Sequence, residues 1–479
     1  MSLVQFQNSE VSALNGQSEY NSNAGSFNLQ FEISGGANMA LDLNSLRLIC
    51  NVDYLRGSGA GVQHVNNNNV YGLGVRPAGA VAGAAPTGVS PAFDNTKQTF
   101  VDVDNRSGCN NVINSILWED ASNNTLEAVH SFPALANKVV SLTMSPDDCL
   151  TWGGSTYGIK SGAKSLQNQQ SLNATNDLGM RLYTGLAQSG PLPYALAQGK
   201  IKLTIQLNSS SAVLFGGENY GANVGLGTDY ASTNGGAYYR MSNVKLVYRN
   251  LIFDDETAPI MTQGYSYRHL SSLQSTISAS NNTNIYNPNA TNAISIMTSF
   301  IPSENLNNYQ RNSVQSGKLK NGAPNGAVWP ENRPQSVQIN ETNFLKNNIN
   351  HPLTYPIDES IYTQNNNGNN NYDSQRSYYY MSCLKPINML NNTLLQSSTE
   401  AYGPFKEWQD PDFNVPVSSG VGVRYANVSP DEGSDFTNSQ SFQQRIKSGL
   451  NSSLNNEMFS SVLSTKRIVP SASGPVVLS

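Results

Sequence analysis

The chain has 479 residues, too many for one hydrophobic core, and divides most naturally into two or three domains. Only 13% of it is charged, against about a quarter in an average protein, and the net charge is −5. Disorder needs low hydrophobicity together with high net charge, so 38% hydrophobic residues with 23 Tyr and 15 Phe point to a folded, neutral-polar, loop-rich protein. A surface this weakly charged repels its own copies little, which suits dense packing of many subunits.

Residues 1–25 are polar with scattered apolar side chains and read as an extended arm. Nothing there has the basic and apolar regions of a signal peptide, and no run of 18 apolar residues exists to span a membrane as a helix. Phe27, Leu29, Phe31 and Ile33 alternate with polar residues, which predicts a first strand ended by Gly35-Gly36. Leu46, Leu48, Cys50, Val52 and Tyr54 predict a second, with Cys50 facing inward. Residues 56–99 form a long loop of Gly, Ala, Asn and Pro that contains Asn66–Asn69. Asn111–Asp120 reads as a strand, Leu126–Leu135 as one or two helical turns stopped by Pro133, Val139–Met144 as a strand and Met180–Tyr183 as a short one.

The cleanest pattern lies at 200–207. Ile201, Leu203, Ile205 and Leu207 alternate with Lys200, Lys202, Thr204 and Gln206, the period of a strand with one face on a core and one in water. Pro191-Leu192-Pro193 precedes it and Gly199 turns the chain into it. After a second loop, 208–240, Val244, Leu246, Tyr248, Leu251 and Phe253 predict a long strand. Asp254-Asp255-Glu256 and Pro259 then mark a domain boundary.

The second half repeats this style. Its strand candidates are Gln274–Ala279, Ala293–Ile301, Gln335–Asn340, Ser377–Cys383, Gly420–Val428 and Met458–Val469. Long loops at 303–334, 343–376 and 402–419 separate them, and Asn365–Asn371 is broken only by Gly368. Ser439–Gly449 is the best helix candidate of this half. The last ten residues, 470–479, suit docking on a neighbour or on their own domain. Two halves, each of roughly six to eight short strands with almost no helix, make an all-β chain of two tandem sandwiches or jelly rolls.

No catalytic constellation stands out. His64, His130, His269 and His351 are isolated, without the spacing of a metal site. Cys50, Cys109, Cys149 and Cys383 are far apart and read as buried free thiols; a nucleophilic pair of His130 with Cys149 would need a meeting in space that sequence does not give. Glu119-Asp120 and Asp147-Asp148 resemble glycosidase carboxylates in type, but adjacent acids on a strand point to opposite faces. Asp254-Asp255-Glu256 could hold a cation, with a solvated linker as the plainer reading. Gly57–Gly61 and Gly72–Gly83 lack the GK[ST] ending of a phosphate loop. Lys160–Lys164 and Lys318–Lys320 are small basic points rather than a stripe, which argues against direct nucleic-acid binding. Triplets such as Asn173-Ala174-Thr175 and Asn289-Ala290-Thr291 are expected by chance in this composition. The expectation is a structural protein with no catalytic, cofactor or metal site.

Taken in order, FNLQFEISGG, LDLNSLRLICNVDYL, NNVINSILWEDASNNTLEAV, PLPYALAQGKIKLTIQLNSSSAVLF and YRMSNVKLVYRNLIFDDE resemble the first jelly roll of the double jelly-roll major capsid proteins. The virophage and Polinton-like virus type is nearest in style, with adenovirus hexon more distant. The resemblance covers about residues 26–255; over 260–479 it rests on length, strand count and the terminal strand FSSVLSTKRI. It implies two eight-stranded jelly rolls, 26–255 and 256–469, with an arm at 1–25 and a tail at 470–479. It implies a homotrimeric, pseudo-hexameric capsomer in the icosahedral shell of a double-stranded DNA virus. The partners would be other copies, penton protein and minor capsid proteins. In that setting the long loops 56–99, 208–240, 303–334 and 343–376 are candidates for outer towers and trimer contacts, and arm and tail for the inner face. The competing expectation is a β-sandwich spike or fibre that binds a receptor or carbohydrate, which would need a loop with a clustered aromatic and acidic sugar site; Tyr378-Tyr379-Tyr380 is the local aromatic cluster and reads as strand packing. A β-sandwich glycoside hydrolase is the third reading, and would need two carboxylates converging in a groove.

Overall fold

The computed structural model describes residues 3–15, 19–21, 28–56, 63–64, 102–103, 108–136, 176–215, 237–254, 263–277, 281–286, 293–302, 334–341, 349–352, 420–424, 442–448, 456–470 and 475–478. The strands among them form two pairs of antiparallel sheets, one pair from each half of the chain, with a further two-stranded sheet, Asp102–Val103 with Leu214–Phe215, in the first half.

The strand Lys200–Leu207 lies inside a four-stranded sheet, between Asn28–Ser34 and Ile113–Asp120, with Thr125–Val129 at the far edge. Its alternation is realised residue by residue. Ile201, Leu203 and Ile205 have no exposed surface, while Lys200 and Gln206 face solvent. Leu203 is flanked by Phe31 on one side and Trp118 on the other, so three large apolar side chains form one row across the sheet. On the outer face Lys200 pairs with Glu32 at 2.7 Å.

The opposing sheet is built on two long strands, Met39–Arg56 and Ala237–Phe253, paired antiparallel. Leu41, Leu43, Leu46, Leu48, Cys50 and Val52 from the first, with Tyr239, Met241 and Leu246 from the second, close the core from that side. The inward position read for Cys50 is a fully buried free thiol, and burial pushes its pKa up. Both strands begin before the sequence reading, at Met39 and at Ala237.

Several expectations are corrected. Residues 1–25 do not form a separate arm throughout: Leu3–Ser12 is a strand running antiparallel to Ala237–Phe253, and Glu19–Asn21 pairs with the same strand. Thr125–Val129 is a strand, and the helical turn begins only at 132–136, with Pro133 in its first turn rather than stopping it. The short strand expected at Met180–Tyr183 is Asn176–Met180, paired with Met39–Arg56.

In the second half, Tyr265–Ile277, Asn456–Val469, Ala293–Pro302 and Gly420–Arg424 form one sheet. Asn281–Tyr286, Phe442–Ser448, Pro334–Glu341 and Ile349–Pro352 form the other. The helix expected over Ser439–Gly449 is the strand Phe442–Ser448, held between Asn281–Tyr286 and Pro334–Glu341. Partners on both sides outweigh the weak local preference of FQQRIKS. Asn281–Tyr286, NNTNIY, carried no alternating apolar signal and went unread. The tail strand Val476–Leu478 docks on Arg467–Val469 of its own half. The strands expected at Val139–Met144 and Ser377–Cys383 lie outside the described residues, as do most of the long loops.

Candidate functional site

Thr125–Val129 is the outermost strand of its sheet in the first half, and Tyr265–Ile277 is the outermost strand of its sheet in the second. An open sheet edge presents unpaired N–H and C=O groups that must find partners. Here the two edges meet, and side chains rather than a shared ladder supply the bonds. The Tyr267 hydroxyl donates to the Leu126 carbonyl at 2.7 Å. The Arg268 N–H donates to Ser189 Oγ at 2.8 Å, and the Leu270 N–H to Glu127 Oε1 at 2.7 Å. The His130 N–H donates to Ser272 Oγ, Ser131 Oγ to Gln274 Oε1, and the Tyr265 hydroxyl to the Gly190 carbonyl. Arg268 and Leu270 are two apart, so their N–H groups leave the strand on the same edge, and each meets a side chain from the first half.

Glu127 is the centre of this seam. Strand alternation puts it on the same face as Val129, opposite Trp118, and a bulge beside it adds Leu126 to the buried set. Its carboxylate has no exposed surface. Oε1 accepts from the N–H of Gly185 at 2.9 Å and of Leu270 at 2.7 Å, and Oε2 from the N–H of Leu186 at 2.8 Å. Thr184 Oγ1 accepts from Trp118 Nε1 and from the Ala187 N–H, so its own hydrogen is left to donate, and it goes to Glu127. Four donors thus fill the lone pairs of one carboxylate. Burial nevertheless outweighs them and pushes the Glu127 pKa up to about 7.

His269 stands one residue before Leu270, edge-on to the Tyr267 ring. It is 8% exposed, and among the described residues its Nδ1 has no hydrogen-bond partner. Burial, helped by the nearby Lys466, pushes its pKa down to about 3. Lys466 is itself pushed down by burial and drawn back up by Glu127. Tyr267, Leu270, Leu463 and Ile468 belong to the same continuous apolar core as Trp118 and Leu203, so the core runs across the seam.

The residues weighed from sequence are dispersed. His130 is exposed and His269 is buried beside Tyr267. Cys50 and Cys109 are buried and not joined in a disulfide, while Cys383 and Cys149, the partner weighed for His130, lie outside the described residues. Asp120 is buried as a turn cap: Oδ1 accepts from the N–H of Ser122 and Asn124, and Oδ2 from Asn124 Nδ2. Glu119 sits on the adjacent, half-buried position. Asp147-Asp148, Tyr378–Tyr380, Asp255, Glu256 and the basic points lie outside the described residues. Among the described residues no three metal-ligating side chains converge, and no helix is long and apolar enough to cross a membrane. The carboxylate that matters, Glu127, was missed. Its signal was an acid inside the apolar run Leu126–Val129, at the inward position of a strand that was read as helix.

No protein-family model matches the chain, and no curated protein sequence matches it. Solved structures do. The Faustovirus major capsid protein superposes with a TM-score of 0.56 at 11% identity, covering 98% of this chain and 91% of that one. The PBCV-1 virus capsid gives 0.52 at 10% identity, over 100% of this chain and 97% of that one. The cryo-EM structure of the Sputnik virophage gives 0.51 at 10% identity, over 100% and 89%. The fold is the double jelly roll of viral major capsid proteins.

Among the described residues the exposed large apolar side chains are Ile49 and four near the termini. Leu3–Ser12 is the outermost strand of the first-half sheet. On it Phe6 is 55% exposed, with the Arg249 guanidinium 5.3 Å from its ring centre. Leu14 follows, 60% exposed. Val476 and Leu478 of the tail strand are also exposed, whereas Val477 between them packs on the core.

Proposed function

We propose that the chain is a major capsid protein that homotrimerises into pseudo-hexameric capsomers tiling the icosahedral shell of a double-stranded DNA virus. The observation that carries this reading is a double jelly roll matched over nearly its whole length to solved major capsid proteins. Two jelly rolls locked by a hydrogen-bonded seam make one subunit a double-width block, and three such blocks around a threefold axis outline a hexagon. The domain limits proposed are a first jelly roll running to residue 255 with the strand Leu3–Ser12 in its sheet, and a second over 256–469, with exposed apolar residues near the termini, such as Phe6 and Leu478, facing neighbours or minor capsid proteins. Penton and minor capsid proteins would complete the shell, and the acidic balance leaves genome contact to other components. The chain would work in the virion as a scaffold and not as an enzyme.

The test is the oligomeric state of the purified full-length chain. Light scattering is expected to give a trimer and negative-stain microscopy six-lobed particles. A stable monomer that binds glycans would replace this reading with that of a receptor-binding spike.

A further inference from the structure

The strand Leu3–Ser12 is held differently from the rest of its sheet. It runs antiparallel to Lys245–Phe253, from Leu3 opposite Phe253 to Ser12 opposite Lys245. Among the side chains described on it, from Gln5 to Ser12, none is buried. Val11 leans on the core only in part. Its polar contacts lie at the surface: Glu10 pairs with Lys245 at 2.9 Å, Phe6 stands against the Arg249 guanidinium, and Ser9 Oγ accepts a long bond from Asn250 Nδ2 at 3.4 Å. Exposed pairs of this kind contribute little, so the backbone ladder does most of the holding. The next strand, Asn28–Ser34, cannot leave without pulling Leu29, Phe31 and Ile33 out of the core, whereas Leu3–Ser12 can leave with the core closed. The chain just after it is fixed. The Leu14 N–H donates to the Gln30 carbonyl at 2.7 Å, Asn15 Nδ2 donates to the Asn28 carbonyl, and the hydroxyl of the buried Tyr20 donates to Asn15 Oδ1 at 3.2 Å. A fixed root and a lightly held strand put a hinge between Ser12 and Leu14.

We propose that Leu3–Ser12 is an exchangeable strand, which swings about this hinge off its own sheet and takes the same place beside Lys245–Phe253 of a second copy of the chain. The vacated edge selects its occupant. Its unpaired N–H and C=O groups template another strand, and one of identical sequence restores every contact that was given up: the ladder in register, Glu10 on Lys245, Phe6 on Arg249 and Ser9 on Asn250. Exchange of an identical element therefore loses no contact, and what opposes it is the entropy of bringing two copies together. Copies packed side by side have already met that cost, and a net charge of −5 opposes their packing little. Extended, the ten residues of the strand reach about 33 Å, enough to cross to an abutting copy. The proposal goes beyond the capsid reading and does not depend on it, since any assembly that holds two copies close would serve.

The Glu10–Lys245 ion pair reports exchange in the unmodified full-length chain, because zero-length carbodiimide coupling joins a carboxylate and an amine only where they touch. Isotope-light and isotope-heavy chains are purified separately, mixed in equal amounts, held concentrated and then coupled. The peptides that join Glu10 to Lys245 are weighed by mass spectrometry. Exchange is expected to give light–heavy peptides that rise with time toward half of the total. Light–light and heavy–heavy peptides alone overturn the proposal. Edge-to-edge docking of two copies without exchange gives that same unmixed result, because each Glu10 stays on its own Lys245. Trimers with unmixed peptides would overturn exchange and leave the capsid reading standing, whereas mixed peptides without trimers would do the reverse.

Discussion

Glu127 Oε1 lies 2.7 Å from the backbone nitrogen of Leu270, and this bond joins an acid of the first jelly roll to the open edge of the second. A carboxylate is a good cap for a sheet edge, because it accepts strongly and ends the ladder where a strand would continue it. The two sheets therefore abut without merging. Side-chain bonds at Tyr267, Arg268 and Leu270 fix one register, whereas a shared ladder could slip by two residues and still satisfy its backbone.

Gly185 permits that close approach. A Cβ there would stand 2.6 Å from the Arg268 carbonyl oxygen and 2.8 Å from Glu127 Oε1. The first is backbone of the facing jelly roll and cannot swing aside. Gly185→Ala is expected to cost about 1–3 kcal/mol by overpacking, read as a lower denaturation midpoint with an unchanged slope. An unaltered midpoint would mean that the rolls separate easily.

Thr184→Val tests the polar layer behind the seam. The substitution keeps the shape but strips the acceptor from two buried donors, Trp118 Nε1 and the Ala187 N–H. An unsatisfied buried donor costs about 1–3 kcal/mol, so a loss of about 2 kcal/mol or more is expected in chemical denaturation. Thr184→Ser, which retains the hydroxyl, should recover most of it.

The central strand offers a contrast between two adjacent residues. Leu203→Ala opens a cavity between Phe31 and Trp118 and is expected to cost about 2–5 kcal/mol. Thr204→Ala, on the outer face of the same strand, should stay within about 0.5 kcal/mol. Comparable losses at both positions would show that the outer face is covered in the purified oligomer.

These positions differ in how far the sequence announced them. Ile201, Leu203 and Ile205 were legible because strict alternation survives wherever one face is buried. Phe442–Ser448 was not, because its partners lie more than 150 residues away at Asn281–Tyr286 and about 100 away at Pro334–Glu341, and local composition carries no record of them. Leu3–Ser12 was read as extended but not as paired, since its alternation is polar and its stability comes from the ladder to Ala237–Phe253. Glu127 was hidden twice over. Pro133 suggested a helix where a strand precedes it, and the partner that explains a buried acid, Leu270, belongs to the other half of the chain.

That pairing of the N-terminal strand changes what truncation should do. Deleting the whole segment 1–25 would strip an edge strand from the first sheet, together with the Lys245–Glu10 ion pair, and so confuse folding with assembly. Phe6→Ser separates them. Phe6 is 55% exposed, and its aromatic–cation contact with Arg249 is worth about 0.5–1 kcal/mol at an exposed site. The variant is expected to keep its trimer and to lose less than about 1 kcal/mol of stability. If the exposed ring is a contact between capsomers, shell assembly should fail while the denaturation midpoint barely moves. Normal assembly of Phe6→Ser would show that the exposed ring leaves gripping of neighbours to other contacts.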